Sequence, residues 1–430
     1  MKKGIFEKLM ATIAAKGDTL SDKRRTGHNF RYTITNALMS AFLVFYFQFQ
    51  SMLAFQQSID KGYRRQNLKR ILNLHKIPSA PQIKTILDSI EPGILGGVFY
   101  EVINIAEKLG LLNSYKVLDG GVLIDLDGTT YHSSKKIHCK RCLKMSHQNG
   151  LKTFYHSILA AAIVKFGDTV VLPLMGELIS NGDGQNKQDC EHNAIKRWLM
   201  KYGQLYKHLN PTFLGDALFA CYSICKEIID LGLSFIFTCK EKSHQYLFKI
   251  VRNSKMDVKI RREWNGNHHL IYRYHWLNGV DIRKGPETLK VNYVEIEIEH
   301  EEAGEVIYKN SWVTNKTVSQ DNVVLIVNCA RARWKIENEH NNVLKNQGYN
   351  LKHNFGHGEN HASENYCLLN ILAFLFHGIL MLSDENYQKA RATVGRRTEF
   401  FSELRAALKF VRHNDWDGFL LFVRVIQGPG

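Results

Sequence analysis

The chain has 430 residues, 44% of them hydrophobic and 23% charged, with a net charge of +16 and a pI near 9.3. These values exclude a disordered or fibrous chain. They fit a folded protein of two or three units that meets an anionic partner. Eight cysteines at irregular spacings exclude a disulfide scaffold, and no apolar stretch follows the charges of Met1–Lys8, so a reducing cytoplasm without a secretory signal is expected.

Residues 1–115 read as a helical N-terminal region with a probable role in DNA binding. The apolar run 37–55 is nearly long enough to span a bilayer. Gln48, Gln50 and Ser51 interrupt it, so the reading is one buried helix of a helical domain and not a membrane span. The basic and aromatic stretch 61–72 places Arg64 and Arg65 where they would lie on DNA phosphates; a solvated helix face is the alternative.

From residue 116 the pattern turns to strands. Val122–Asp127, Phe154–Val164 and Thr169–Pro173 read as β-rich runs, with Phe166-Gly167-Asp168 as a turn between the last two. The polar stretch Asn181–Asn186 reads as a loop, and a helix is expected from Lys187 with Ala194, Ile195, Trp198 and Leu199 on its apolar face. The acidic residues that open it, Asp189 and Glu191, suit the positive end of the helix dipole. Phe213–Asp216 is the next strand, Ala220–Asp230 a helix and Ser234–Thr238 a strand. The order β-β-β-α-β-α-β is that of an RNase H-like core, here residues 116–239. Residues 240–328 alternate apolar and polar side chains, as in Leu270–Trp276 and Val291–Ile298, and read as a β-rich insertion. The core resumes over 329–385 with a polar helix around Glu337, and 386–430 is a helical C-terminal region. The fold class expected is therefore α/β.

Three acidic residues stand out. Asp127 and Asp216 end apolar strand-like runs, and Glu337 lies in Arg333–Glu339. Carboxylates at the ends of adjacent strands, joined by one from a nearby helix, suit two divalent metals about 3.5–4 Å apart for attack on a phosphodiester. Mg²⁺ takes oxygen ligands and keeps waters, so three carboxylates suffice. Asp125 shares a strand face with Asp127; Asp127 is preferred because Gly128-Thr129 follows it and opens the backbone. Arg333, four residues before Glu337, shares its face and suits bidentate binding of a phosphate. Lys345 lies about 80° further round an ideal helix from Glu337 but is long enough to reach DNA.

The blocks Asp127-Gly128-Thr129, Gly215-Asp216-Ala217 and Arg333-Trp334-Lys335-Ile336-Glu337-Asn338 resemble the three catalytic blocks of DDE transposases of bacterial insertion sequences, in the branch with a β-strand domain before the catalytic Glu. The resemblance spans about residues 115–385. It implies an RNase H-like fold, Mg²⁺ or Mn²⁺ on Asp127, Asp216 and Glu337, and binding of double-stranded DNA at terminal inverted repeats. It further implies cleavage there, strand transfer into target DNA, a dimeric or larger synaptic complex, and a bacterial, nucleoid-associated location. The family's Tyr before the Arg is here Ala330, and its Lys after the Glu is here Leu344, with the nearest lysine at 345. Two alternatives stand beside this reading: a catalytically inactive, transposase-derived DNA-binding protein, and a plain metal-dependent nuclease.

Cys139 and Cys142 form one Cys-x-x-Cys pair, a start for a Zn²⁺ site with His138, His147 and His156 as candidate further ligands, but without a second Cys pair the preferred reading is free core or loop thiols. His353, His357 and His361 recur at four-residue spacing, but Gly356 and Gly358 break any helix there. That stretch reads as a polar loop near substrate and not as a metal box.

Overall fold

The computed structural model describes residues 4–22, 24, 31–181 and 189–425. Six helices open the chain: α1 (Ile5–Asp18), α2 (Ile34–Tyr46), α3 (Met52–Ser58), α4 (Arg64–Leu72), α5 (Ala80–Asp88) and α6 (Gly96–Lys108). The apolar run 37–55 is thus two helices, not one. Thr33 and Asn36 form a capping box that starts α2, Gln48 takes a left-handed φ of 50° that stops the run, and the Ser51 hydroxyl accepts from Ala54 N to start α3. α2 is buried almost all round, as its composition demands.

Four strands follow: β1 (Leu123–Ser134), β2 (Leu143–Ser146), β3 (Lys152–Val164) and β4 (Leu172–Ile179). Then come α7 (Glu191–Trp198), β5 (Thr212–Gly215), α8 (Tyr222–Asp230) and β6 (Ser234–Thr238). The expected start of α7 at Lys187 and most of the loop before it lie outside the described residues. Its expected apolar face of Ala194, Ile195, Trp198 and Leu199 is buried. β4 begins later than the reading from Thr169 and carries Pro173, which is tolerated because β4 is an edge strand paired only with β3.

Residues 240–328 hold α9 (Gln245–Arg252) and four strands, β7 (Asp257–Trp264), β8 (His269–Asp281), β9 (Lys290–His300) and β10 (Glu305–Thr314). Leu270, Tyr274 and Trp276 are buried on one face of β8, as the alternation requires. These strands extend the main sheet: β10 pairs antiparallel with β6, setting Trp312 opposite Thr238. The ten strands form one mixed sheet in the order β2-β3-β1-β5-β6-β10-β9-β8-β7, with β4 also on β3. β1 and β3 are antiparallel over nearly their whole length, whereas β5 and β6 run parallel to β1.

The chain closes with α10 (Val323–Arg331), a π-helical turn over Ile336–Asn341, α11 (Asn342–Asn346), α12 (Ala362–Ser383), α13 (Glu385–Ala392), α14 (Arg397–Phe410) and α15 (Trp416–Val425). α12 is long and apolar enough to cross a membrane, but 83% of its apolar window is buried within the fold, against α2, α5 and β4. Its start is fixed by Asp88, whose carboxylate accepts from the backbone N–H groups of Glu359, Asn360, His361 and Ala362 at 2.9–3.1 Å. Those contacts outweigh burial and hold the Asp88 carboxyl below its ordinary range. The two ends of the chain interleave. Phe6 stacks on Trp416 with centroids 3.7 Å apart, and Asn67 Nδ2 donates to the carbonyls of Leu408 and Val411 at 2.9 and 2.7 Å.

Candidate functional site

Asp127 does not end its strand. β1 continues to Ser134 because Gly128–Ser134 keep their pairing with β3, across a bulge between Thr130 and His132. The site is instead set by the neighbour on the other side. Asp125 lies opposite Leu214 of the parallel β5, so the same register carried two residues on sets Asp216, just past the end of β5, beside Asp127. There Asp216 Oδ1 accepts from Leu218 N at 2.9 Å, a turn that closes the strand end.

Glu337 reaches the same place from the π-helical turn. In this wider turn Asn341 also faces β1, and its Nδ2 donates to Asp127 Oδ2 at 2.8 Å. Asn341 is held in turn by buried His340, whose Nδ1 lies 2.9 Å from Asn341 Oδ1. Burial lowers the His340 pKa to about 4, so at neutral pH the ring is uncharged and its Nδ1–H is the donor to that oxygen.

A fourth carboxylate joins the three expected from the sequence. Glu191, on the first turn of α7, lies over Gly128 so closely that a Cβ there would stand 1.9 Å from its Oε1. Burial, followed by the charges of Glu337, Glu191 and Asp216, raises the Asp127 pKa from 3.8 to about 6, against the opposing pull of Arg333. Glu191 is raised by burial and by Asp216. Asp125 is fully buried, and burial drives its pKa far up against the opposing pull of Arg333. This separates it from the half-buried, crowded Asp127 beside it.

Arg333 supplies the nearest positive charge. It lies in the turn between α10 and the π-helical turn, and its Nη1 donates to Glu337 Oε1 at 2.5 Å. Burial would lower its pKa, but Glu337, Asp125 and Asp127 more than compensate. Lys345 turns toward the site too, donating from Nζ to the hydroxyl of Thr129, two residues from Asp127. Burial and Lys352 lower its pKa while Asp127 pulls it up. Arg64 and Arg65 lie elsewhere. Arg64 is directed inward, donating to the carbonyls of Ser58 and Arg405 at 3.3 and 3.1 Å. Arg65 is half exposed and pairs with Asp60 at 2.5 Å. Glu191, His340 and Asn341 were missed in the sequence as members of this site. Asn341, four residues after Glu337, carried the readable signal.

A second cluster lies further along β1 and β3. Cys139 and Cys142 sit in the turn between β1 and β2, His156 on β3 opposite His132, and His357 in the loop before α12. Their Sγ and Nε2 atoms all lie within 4.8 Å of one another, a cluster that could hold a metal ion. Of the candidate partners, His156 belongs to it and the other two do not: the His138 ring faces Phe154 and His147 Nε2 contacts Thr153 Oγ1 at 2.7 Å. His357 corrects the polar-loop reading. Gly356 and Gly358 do break the helix, with φ of 133° and 67°, but the loop they form turns His357 inward until it is only 9% exposed. Contact with Cys142 and with His156 holds Cys139 well below the ordinary thiol range, and Cys139 drives Cys142 up.

No protein-family model matches the chain, and no curated protein matches it in sequence.

Proposed function

We propose that this chain is a DDE transposase, with Asp127, Asp216 and Glu337 as its catalytic carboxylates. The observation that carries the reading is their convergence: one on β1, one at the end of the adjacent parallel β5 and one on a helix after the last strand, close enough that their charges add to burial in raising the Asp127 pKa to about 6. The strand arrangement β4-β3-β1-β5-β6, antiparallel over the first three and parallel to β1 over the last two, supports an RNase H-like core. The strands β7–β10 before the Glu337 helix support the branch with a β insertion.

The donor set suits a hard divalent cation. Glu191 joins the three carboxylates, a set of oxygen donors of the kind a hard divalent cation takes. Asp127, Asp216 and Glu337 would hold Mg²⁺ or Mn²⁺, which when bound polarises a phosphodiester and activates a water or 3′-hydroxyl. The remaining roles belong to side chains of this chain. Asn341, set by His340, fixes the orientation of Asp127. Arg333 and Lys345 flank the carboxylates with positive charge suited to phosphate oxygens. The net charge of +16 supports binding along a DNA backbone by two or more copies brought together on element ends.

The test uses duplexes carrying the inverted repeats that flank the gene, against duplexes of scrambled sequence, with and without Mg²⁺. Mg²⁺-dependent nicking at the repeat end followed by joining to a second duplex is expected. Cleavage of both substrates without joining would make the protein a nuclease, and binding without cleavage would make it a transposase-derived DNA-binding protein.

A further inference from the structure

We propose that Cys139, Cys142, His156 and His357 bind one structural Zn²⁺ that staples the β1–β3 hairpin to the loop leading into α12. Tetrahedral zinc, with bonds of about 2.3 Å to sulfur and 2.05 Å to nitrogen, sets its ligand atoms about 3.8 Å apart for two sulfurs, 3.6 Å for sulfur and nitrogen and 3.3 Å for two nitrogens. The corresponding distances here are 3.9 Å between the sulfurs, 3.4, 3.3 and 3.2 Å between sulfur and nitrogen, and 3.2 Å between the two Nε2 atoms. The four atoms already stand at the corners of a zinc-sized tetrahedron.

Other accounts of this packing fail on the same numbers. A disulfide needs the sulfurs about 2.05 Å apart, and both cysteines are free. A hydrogen-bonded cluster fails on protons. A neutral imidazole has one N–H, and two Nε2 atoms that meet each other and the same sulfur cannot all be satisfied by the protons available. A Rieske-type diiron cluster holds its two cysteines and two histidines on different irons, which spreads sulfur from nitrogen further than contacts of 3.2–3.4 Å allow. Two thiolates and two imidazoles on one centre suit zinc, and four protein ligands close the coordination shell, which is the mark of a structural site.

The surroundings fit that role. Cys142 and His156 are buried to 1% exposure or less. Arg141, between the two cysteines, pairs with Glu364 of α12 at 2.5 Å and donates to Ser180 Oγ at 3.0 Å, so the turn is anchored on the same two sides that the metal would join. His357 is 215 residues from Cys142, and the stretch between them includes the helix carrying Glu337. Zinc would therefore close a long loop whose two ends are the strands bearing Asp127 and the segment just after Glu337.

The experiment measures metal in the full-length purified chain, with no DNA present, so it is independent of the transposase reading. After passage over a chelating resin, elemental analysis is expected to find about one zinc per chain. His357→Ala and Cys142→Ser are expected to fall at least tenfold in zinc content, and Cys190→Ser, an exposed thiol outside the cluster, is expected to retain it. Replacement with Co²⁺ in the unaltered chain covers the case in which a variant fails to fold. Tetrahedral ligand-field bands with thiolate-to-cobalt charge transfer are expected. An octahedral spectrum without charge transfer, iron in place of zinc, or full zinc retention in both ligand variants would overturn the assignment.

Discussion

The carboxylate cluster, centred on β1, and the thiol–imidazole cluster, built on the turn after β1 and on β3, solve opposite problems. At the first, like charges are gathered and left only partly balanced, and Glu337 stays 49% exposed. At the second, the Sγ and Nε2 atoms lie within 4.8 Å of one another and three of the four residues are buried. The contrast separates strain kept for chemistry from strain that a resident ion would remove. On the readings proposed above, the open, repulsive site would recruit cations and phosphate reversibly, and the closed one would join chain segments for the life of the fold.

The largest expected effect tests the open half. Asp216→Asn keeps shape but removes charge, so cleavage is expected to fall to background while DNA binding, which rests on Lys and Arg, persists. Cutting at an unaltered rate in Mg²⁺ would remove Asp216 from the site. The two clusters should also part under chelation: withdrawing Mg²⁺ should stop cleavage and leave the melting temperature in place, whereas stripping zinc should lower it.

Next comes Gly128, where the backbone must leave room for Glu191. Gly128→Ala drives a methyl group into that carboxylate and is expected to destabilise by about 1–3 kcal/mol, read from chemical denaturation. An unchanged midpoint would mean that Glu191 moves aside freely and is no fixed member of the cluster.

Asp127 gives an effect of similar size and opposite sign. Its folded pKa of about 6 lies above the ordinary 3.8, so the folded chain holds this proton more tightly than the unfolded chain. Its contribution to stability is full below pH 4, is lost as pH rises to about 6, and leaves the ionised form a standing cost at neutral pH. In metal-free buffer at pH 7, Asp127→Asn should therefore stabilise by about 1–3 kcal/mol and flatten the pH dependence between those limits. Destabilisation at pH 7 would show that the charge is already balanced.

The smallest thermal change is expected for Arg333→Ala. A plain helix pair contributes about 0.3–0.5 kcal/mol, but Arg333 also opposes the charge of Asp127. Its removal should move the Asp127 titration further upward and reduce strand transfer, with little change in melting. A lower melting point with full strand transfer and an unmoved pH profile would make it a structural partner only.

The sequence made the strand carboxylates legible because each follows an apolar run, and Gly128-Thr129 then sorts Asp127 from Asp125, which shares its face. It also made β6 and the apolar face of α7 legible, since both depend on local periodicity. What escaped it depends on partners far away in the chain. β1 runs past Asp127 because β3 pairs with it, not because Gly128–Ser134 favour a strand. The strands of residues 240–328 were readable, but their union with β6 was not. Gln48 breaks the run 37–55 at a backbone angle that no hydropathy pattern records, and its side chain is tied to Asn370 of α12 at 3.1 Å. His357 lay in a glycine-broken loop, where helical spacing was the wrong test for a ligand brought in from a distance.

The stacking of Phe6 on Trp416 has a consequence for synthesis. Strands β1–β6 can begin to pair while the chain is still emerging from the ribosome. Helix α1, made before these strands, has to wait for α15 before Phe6 is covered by Trp416. Until then α1 exposes apolar surface that a holding chaperone would bind, and the finished layer forms only after α15 has been translated.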